Sequence, residues 1–134
     1  MAEPAAVSDT HALIFHAAGG RRLGARARAH FAAAEQRDAL IYVPVAVVWE
    51  VSLLARAVRI NLHRPVRAFF DDLFSNPAFQ PHVLDAAQLF DADELRFTRD
   101  PFDALICAAA RDLGLSLVTH DAAIASAGVV PTLW

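Results

Sequence analysis

The chain has 134 residues, 56% of them hydrophobic and 20% charged, with a net charge of −3. Those values exclude a disordered chain and broad basic wrapping of nucleic acid, and they suit one domain with a real core. All 12 basic residues are arginine, which removes a P-loop lysine, a Schiff-base lysine and the lysine of a phospho-receiver site. In chain order, Ala5–Ser8 reads as a short strand, and "THALIFHAA", residues 10–18, as a helix stopped by Gly19 and Gly20. An Ala/Arg-rich helix spans 24–37, a strand 39–43 closed by Pro44, and a strong helix 45–57. A further helix from Pro65 to Phe74 leads into a short strand in "QPHVL" near Val83. Helices follow over 86–95 and 101–113, the second ended by Gly114. "LSLVT", residues 115–119, is a buried strand, "DAAIASA" a short helix, and Val129 and Val130 open a last edge strand.

Short apolar strands separated by helices predict an α/β fold: a central, mostly parallel sheet flanked by helices in three layers, formed as a single domain over 1–134. Cys107 is the sole cysteine, so neither an internal disulfide nor a thiolate zinc cluster is available, and no histidine pair has HExxH spacing. No basic segment followed by an apolar run marks a signal peptide, and no uncharged stretch reaches membrane length. The expectation is a cytoplasmic protein with no membrane role.

Ligands in such sheets bind beyond the carboxyl ends of the strands. Asp9 and Asp121 fall there, after the first and the last core strand. In "RDPFDALICAAA" the apolar face is Phe102, Leu105, Ile106, Ala109 and Leu113, and Asp103 lies on its flank in the first turn. Asp100 precedes Pro101, as an N-cap before a proline at N1 does. Glu50 shares a face with Val47 and Leu54 in an otherwise apolar helix. Each acid also has a local explanation. Asp9 and Asp121 can cap the helices they precede, Asp103 can answer a helix dipole, and Glu50 can pair with Arg56 or Arg59.

Taken together, however, four acids that a fold can gather are unfavourable without a counter-charge. Two unit charges ~4 Å apart repel by about 4 kcal/mol at an effective dielectric of 20. Such a cluster must hold protons or bind cations. Oxygen ligands alone suit Mg²⁺ or Mn²⁺, and the chemistry suggested is metal-assisted hydrolysis of a phosphodiester.

"SDTHALIF", "VAVVWEVSLLA", "RDPFDALICAAA", "LSLVTHD" and the closing "LW" resemble PIN-domain proteins, and more narrowly VapC-type ribonuclease toxins of bacterial toxin–antitoxin pairs. The likeness runs in order over nearly the whole chain and implies a PIN-like fold. It places the family's metal-binding and catalytic acids on Asp9, Glu50, Asp103 and Asp121, with Asp100 supporting and Thr10 and Thr119 as hydroxyls that orient them. It implies an RNA substrate, Mg²⁺ or Mn²⁺, a homodimer and a VapB-like antitoxin. The chain departs from relatives at Leu54, where a lysine is frequent, and at Thr98, where a histidine is. Those departures bear on substrate contact and catalytic vigour, so a catalytically weak PIN-like binding module is the alternative.

Arg99 borders the acids, and Arg22 and Arg26, spaced as helical neighbours, belong to the densest basic patch. These are the candidate phosphate contacts; a solvated face pairing with Glu35 or Asp38 is the other account of the patch. Trp49 reads as a core or dimer contact, Cys107 as packing, and Trp134 as closing the sheet edge.

Overall fold

The computed structural model describes residues 4–134. Five strands, β1 (Ala5–Ser8), β2 (Leu40–Pro44), β3 (Phe79–His82), β4 (Ser116–Val118) and β5 (Thr132–Leu133), form one sheet in the order β3-β2-β1-β4-β5. Every pairing is parallel, so the sheet is more uniform than expected. Both of its faces are covered by helices, which explains why the central strands are continuous apolar runs rather than alternating ones. Ala6, Val7, Ile41, Val43, Leu117 and Val118 are all buried.

The helices are α1 (Thr10–Ala17), α2 (Ala25–Glu35), α3 (Val45–Arg56), α4 (Val66–Ser75), α5 (Ala86–Glu94), α6 (Pro101–Leu113) and α7 (Ala122–Ala127). α6 has the full set of boundary signals. Asp100 caps its start through a 2.8 Å bond from the Phe102 amide, Pro101 sits at N1, and Gly114 ends it at φ 66°. Of its predicted face, Ile106 enters the core with Phe102, Leu105 and Leu113 packed against that core, and Ala109 is buried. None of the described helices is long and apolar enough to cross a membrane.

Two strands lie elsewhere than expected. The third runs from Phe79 to His82, and Val83 falls outside it and is exposed. β3 is an edge strand with one neighbour, the place where a sheet tolerates the missing N–H of Pro81. The last strand is Thr132–Leu133, and Val129 and Val130 instead belong to the turn that leads to it.

Strand order sets where a site can form. The chain leaves β1 toward β2 on one side and returns later to β4 on the other. The crevice at this reversal opens at the carboxyl ends of β1 and β4. Register pairs Ser8 with Val118, and the Asp9 amide bonds the Val118 carbonyl at 3.1 Å. The residues just past both strands therefore emerge side by side.

Candidate active site

Asp9, Glu50, Asp103 and Asp121 line one pocket of about 290 Å³ at this reversal, together with Asp100, Thr10, His11, Phe15, Ile106, His120 and Trp134. Asp9 follows β1 and caps α1, accepting the Ala12 amide at 2.8 Å. Asp121 follows β4 and caps α7, accepting the Ile124 amide at 3.0 Å. Glu50 reaches in from the second turn of α3, and Asp103 from the first turn of α6. The local explanations thus hold for Asp9, Asp100 and Asp121, and they hold at the same time as the clustering.

For Glu50 the local explanation fails. No arginine meets its carboxylate among the described residues; Arg56 lies over the Trp49 ring instead, 5.0 Å from its centroid. What Glu50 accepts is the Thr10 hydroxyl, and Thr10 is only 1% exposed. Thr119, also buried, accepts the Asp121 amide at 3.1 Å, and its hydroxyl lowers the Asp9 carboxyl against the rise that burial causes. Of the two threonines, Thr10 bonds an acid side chain directly, and Thr119 holds the backbone amide of one.

The electrostatics are those of crowded like charge. Burial pushes the Asp103 carboxyl up to about 7, and the charges of Asp100, Asp121, Glu50 and Asp9 add to the rise. Asp9 is also raised, first by burial and further by Asp121, while the Thr119 hydroxyl, the Ala12 amide and His11 pull it down. No arginine lines the pocket. Asp103 accepts no side-chain or backbone hydrogen bond among the described residues, so only the amino end of α6 offsets its charge there.

An oxygen-only donor set with uncompensated negative charge fits a hard divalent cation by chemistry. As the side chains stand, no three His, Cys, Asp or Glu among the described residues are arranged to hold a metal ion. The reason is visible in the hydrogen bonds: Asp9 and Asp121 turn an oxygen to the helix amides, and Glu50 turns one to Thr10. A cation would draw the acids inward against their mutual repulsion.

The arginine candidates stand apart from the pocket. Arg99 is exposed, one residue before the α6 cap, and does not line it. Arg26 is on α2, but Arg22 lies in the turn before that helix, so the two are not helical neighbours. Arg22 lies over the Phe15 ring at 4.3 Å, and Arg28 is tied to the turn carbonyls of Gly20, Arg21 and Leu23. Glu35 pairs with His16 at 2.8 Å rather than with the patch. Trp49 is 49% exposed, so it is no core residue. Trp134 does more than close an edge: it lines the pocket, and its carbonyl accepts the Arg26 and Ala27 amides. Sequence reasoning did not bring it to the site, because its place after the expected last edge strand pointed only to sheet closure.

A larger cavity of about 840 Å³ lies between α1 and α4. Its acids, Glu35 and Asp72, already face His16 and Arg64, so it lacks the uncompensated charge of the smaller pocket.

An all-parallel α/β sheet with a carboxylate pocket at its switch point defines the class of protein. The chain belongs to the PIN domain family, whose model matches residues 6–130 and whose members are in general nucleases. VapBC2 from Rickettsia felis, bound to a DNA fragment from its promoter, is similar at a TM-score of 0.68 and 15% identity over 96% of each chain. A toxin–antitoxin complex from Klebsiella pneumoniae is similar at 0.59 and 23% identity, over 87% of this chain and 86% of that one. FitAB bound to an IR36 DNA fragment is similar at 0.59 and 18% identity, over 94% and 92%. At these identities the likeness is one of fold. No curated protein matches the chain in sequence.

Proposed function

We propose that this PIN domain is a Mg²⁺- or Mn²⁺-dependent endoribonuclease and the toxin of a toxin–antitoxin pair. The observation that carries the reading is the gathering of Asp9, Glu50, Asp103 and Asp121 in a pocket with no arginine. When bound, a divalent cation there would polarise the phosphodiester and favour ionisation of an attacking water. The chain's own residues supply the rest. Asp9, Glu50, Asp103 and Asp121 offer oxygens, the Thr10 hydroxyl fixes Glu50, and Thr119 holds the backbone at Asp121 by accepting its amide. Asp103 keeps a proton up to about pH 7 and gives it up as positive charge enters the pocket.

RNA as the substrate and an antitoxin as the partner follow from the resemblance to VapC-type toxins. The shared fold of the Klebsiella pneumoniae toxin–antitoxin complex supports the same pairing. Val83, Leu89 and Phe90 stand exposed, the last by 71%, and give a second copy or an antitoxin apolar surface to cover. Such a protein works in the cytoplasm.

The test is cleavage of RNA by the purified chain with Mg²⁺ or Mn²⁺, abolished by chelator and by Asp9→Asn or Asp103→Asn. Unchanged cleavage in both variants overturns the mechanism. A second reading, a catalytically weak binding module, draws on the absence of a ready-made three-acid cage among the described residues and on Leu54 and Thr98. Calorimetry that finds no saturable divalent-ion binding favours it.

A further inference from the structure

Four rings line the acid pocket beside the carboxylates: His11, Phe15, His120 and Trp134. His120 and Trp134 lie flat on one another, 4.8 Å between centroids and 4° between planes. Trp134 meets Phe15 edge-on at 6.3 Å and 68°, and Phe15 carries the Arg22 guanidinium over its face. The rings are therefore not equally free. Phe15 is covered by Arg22, and Trp134 is half-buried beneath His120. His120 is exposed, and among the described residues the only ring it stacks on is Trp134.

The support beneath His120 is rigid. The Trp134 carbonyl takes two amides of α2, at 3.0 and 3.3 Å. Its indole rests against Gly24, where an added Cβ would come within 2.5 Å of the ring. On the other flank, the backbone after His120 is pinned by the bond from the Asp121 amide to Thr119 and by the Asp121 cap on α7. His120 makes no side-chain hydrogen bond among the described residues, so the stack alone orients it.

Apart from any cation they hold, these acids repel phosphate, and no arginine lines the pocket. A polynucleotide held there needs adhesion that does not depend on charge, and a base stacked on an aromatic face provides it for any base. We propose that His120, held flat by Trp134, is the platform on which a nucleobase beside the scissile phosphate stacks, with Trp134 as its positioning residue. The inference rests on the ribonuclease reading and names a contact that reading leaves unassigned. Because a paired base has both faces covered by its neighbours, the base that stacks here is unpaired. The Arg22 guanidinium lies over Phe15, on the side of the platform where Trp134 meets that ring.

The experiment is steady-state cleavage with Mn²⁺ of a short single-stranded RNA whose cut site has been mapped. It compares that RNA with the same RNA carrying an abasic nucleotide on either side of the cut. His120→Ala is expected to raise KM roughly fivefold to a hundredfold with little change in kcat, and His120→Phe to restore it. Trp134→Ala is expected to act in the same direction. One abasic substitution should cost the wild type a similar factor and cost His120→Ala little more, since the two remove the same contact. The proposal is overturned if KM is unchanged in His120→Ala, if kcat alone falls, or if the abasic effect is as large in the variant as in the wild type. The abasic arm on the wild type stands whether or not a variant folds, and no loss there from either abasic nucleotide also overturns the proposal. Asp103→Asn is expected to lose cleavage while retaining RNA binding that His120→Ala weakens, so the acid mechanism and the platform fail separately. A wild type that neither binds nor cuts RNA overturns both.

Discussion

In the absence of divalent cations, this protein should become less stable as the pH rises from about 5 to about 8. The perturbed group is Asp103, whose carboxyl is pushed up to about 7 from an ordinary value of 3.8, by burial first and then by the charges of Asp100, Asp121, Glu50 and Asp9. A rise of that size corresponds to about 4 kcal/mol. Asp103 is half-buried, and solvent screening of its charge leaves about 2 kcal/mol. The sign follows from proton counting. Between the unfolded and folded values the native state binds the additional proton, so the contribution is complete near pH 4 and is lost as pH climbs through about 7. Asp9, also raised by burial, works in the same direction. Urea unfolding of the wild type and Asp103→Asn in chelator, at pH 5 and pH 8, reads this out. Asp103→Asn should be more stable than the wild type at pH 8 by about 2 kcal/mol, roughly 6–10 °C in Tm, and similar to it at low pH. Mg²⁺ at a hundred times its Kd should return about 2.7 kcal/mol to the wild type and much less to the variant. A wild type whose stability is flat or rising over this window, with no gain from Asp103→Asn, would refute the claim that the acids strain one another.

Three further outcomes are expected. Thr10→Val, nearly isosteric at a buried position, removes the hydroxyl that Glu50 accepts and should weaken divalent-ion binding about tenfold by calorimetry. Gly24→Ala drives a methyl into Trp134 and should cost about 1–3 kcal/mol in thermal unfolding. Cys107 is buried, and its thiol is pushed up to about 12 by that burial and by the nearby charges of Asp103, Asp121 and Asp9. It should resist alkylation at pH 8 in the native protein and react once urea unfolds it, as mass spectrometry can follow.

Periodicity and boundary residues made much of the fold legible. The apolar face of α6, the cap at Asp100 and the stop at Gly114 all follow from short-range rules that tertiary packing did not override. The edges were less legible for a physical reason. An edge strand is held by one neighbour, so its register depends on pairing more than on its own side chains. β3 accordingly sits on Phe79–His82 rather than nearer Val83, and β5 on Thr132–Leu133. The acids were legible because carboxylates are rare among apolar residues. The His120–Trp134 stack was not, because nothing in the sequence reveals that Trp134 folds back from β5 onto the loop after β4.

Capping and the clustering of acids looked like competing explanations for these residues, and the geometry shows both at once. α1, α6 and α7 all begin at the pocket, capped by Asp9, Asp100 and Asp121. Each cap turns a carboxylate toward helix amides, whose partial positive charge offsets some of its own. That is how the fold tolerates several like charges at the end of a buried sheet before any cation arrives. Glu50 and Asp103 lack such a cap, and Asp103 is the acid most clearly pushed toward keeping its proton at neutral pH among those that stay partly in contact with water. Replacing Asp121 by Asn should preserve the α7 cap while removing a charge, because asparagine caps as well as aspartate does. Stability in chelator should therefore hold or rise, while any divalent-ion binding falls. Loss of both together would mean that Asp121 serves the helix alone.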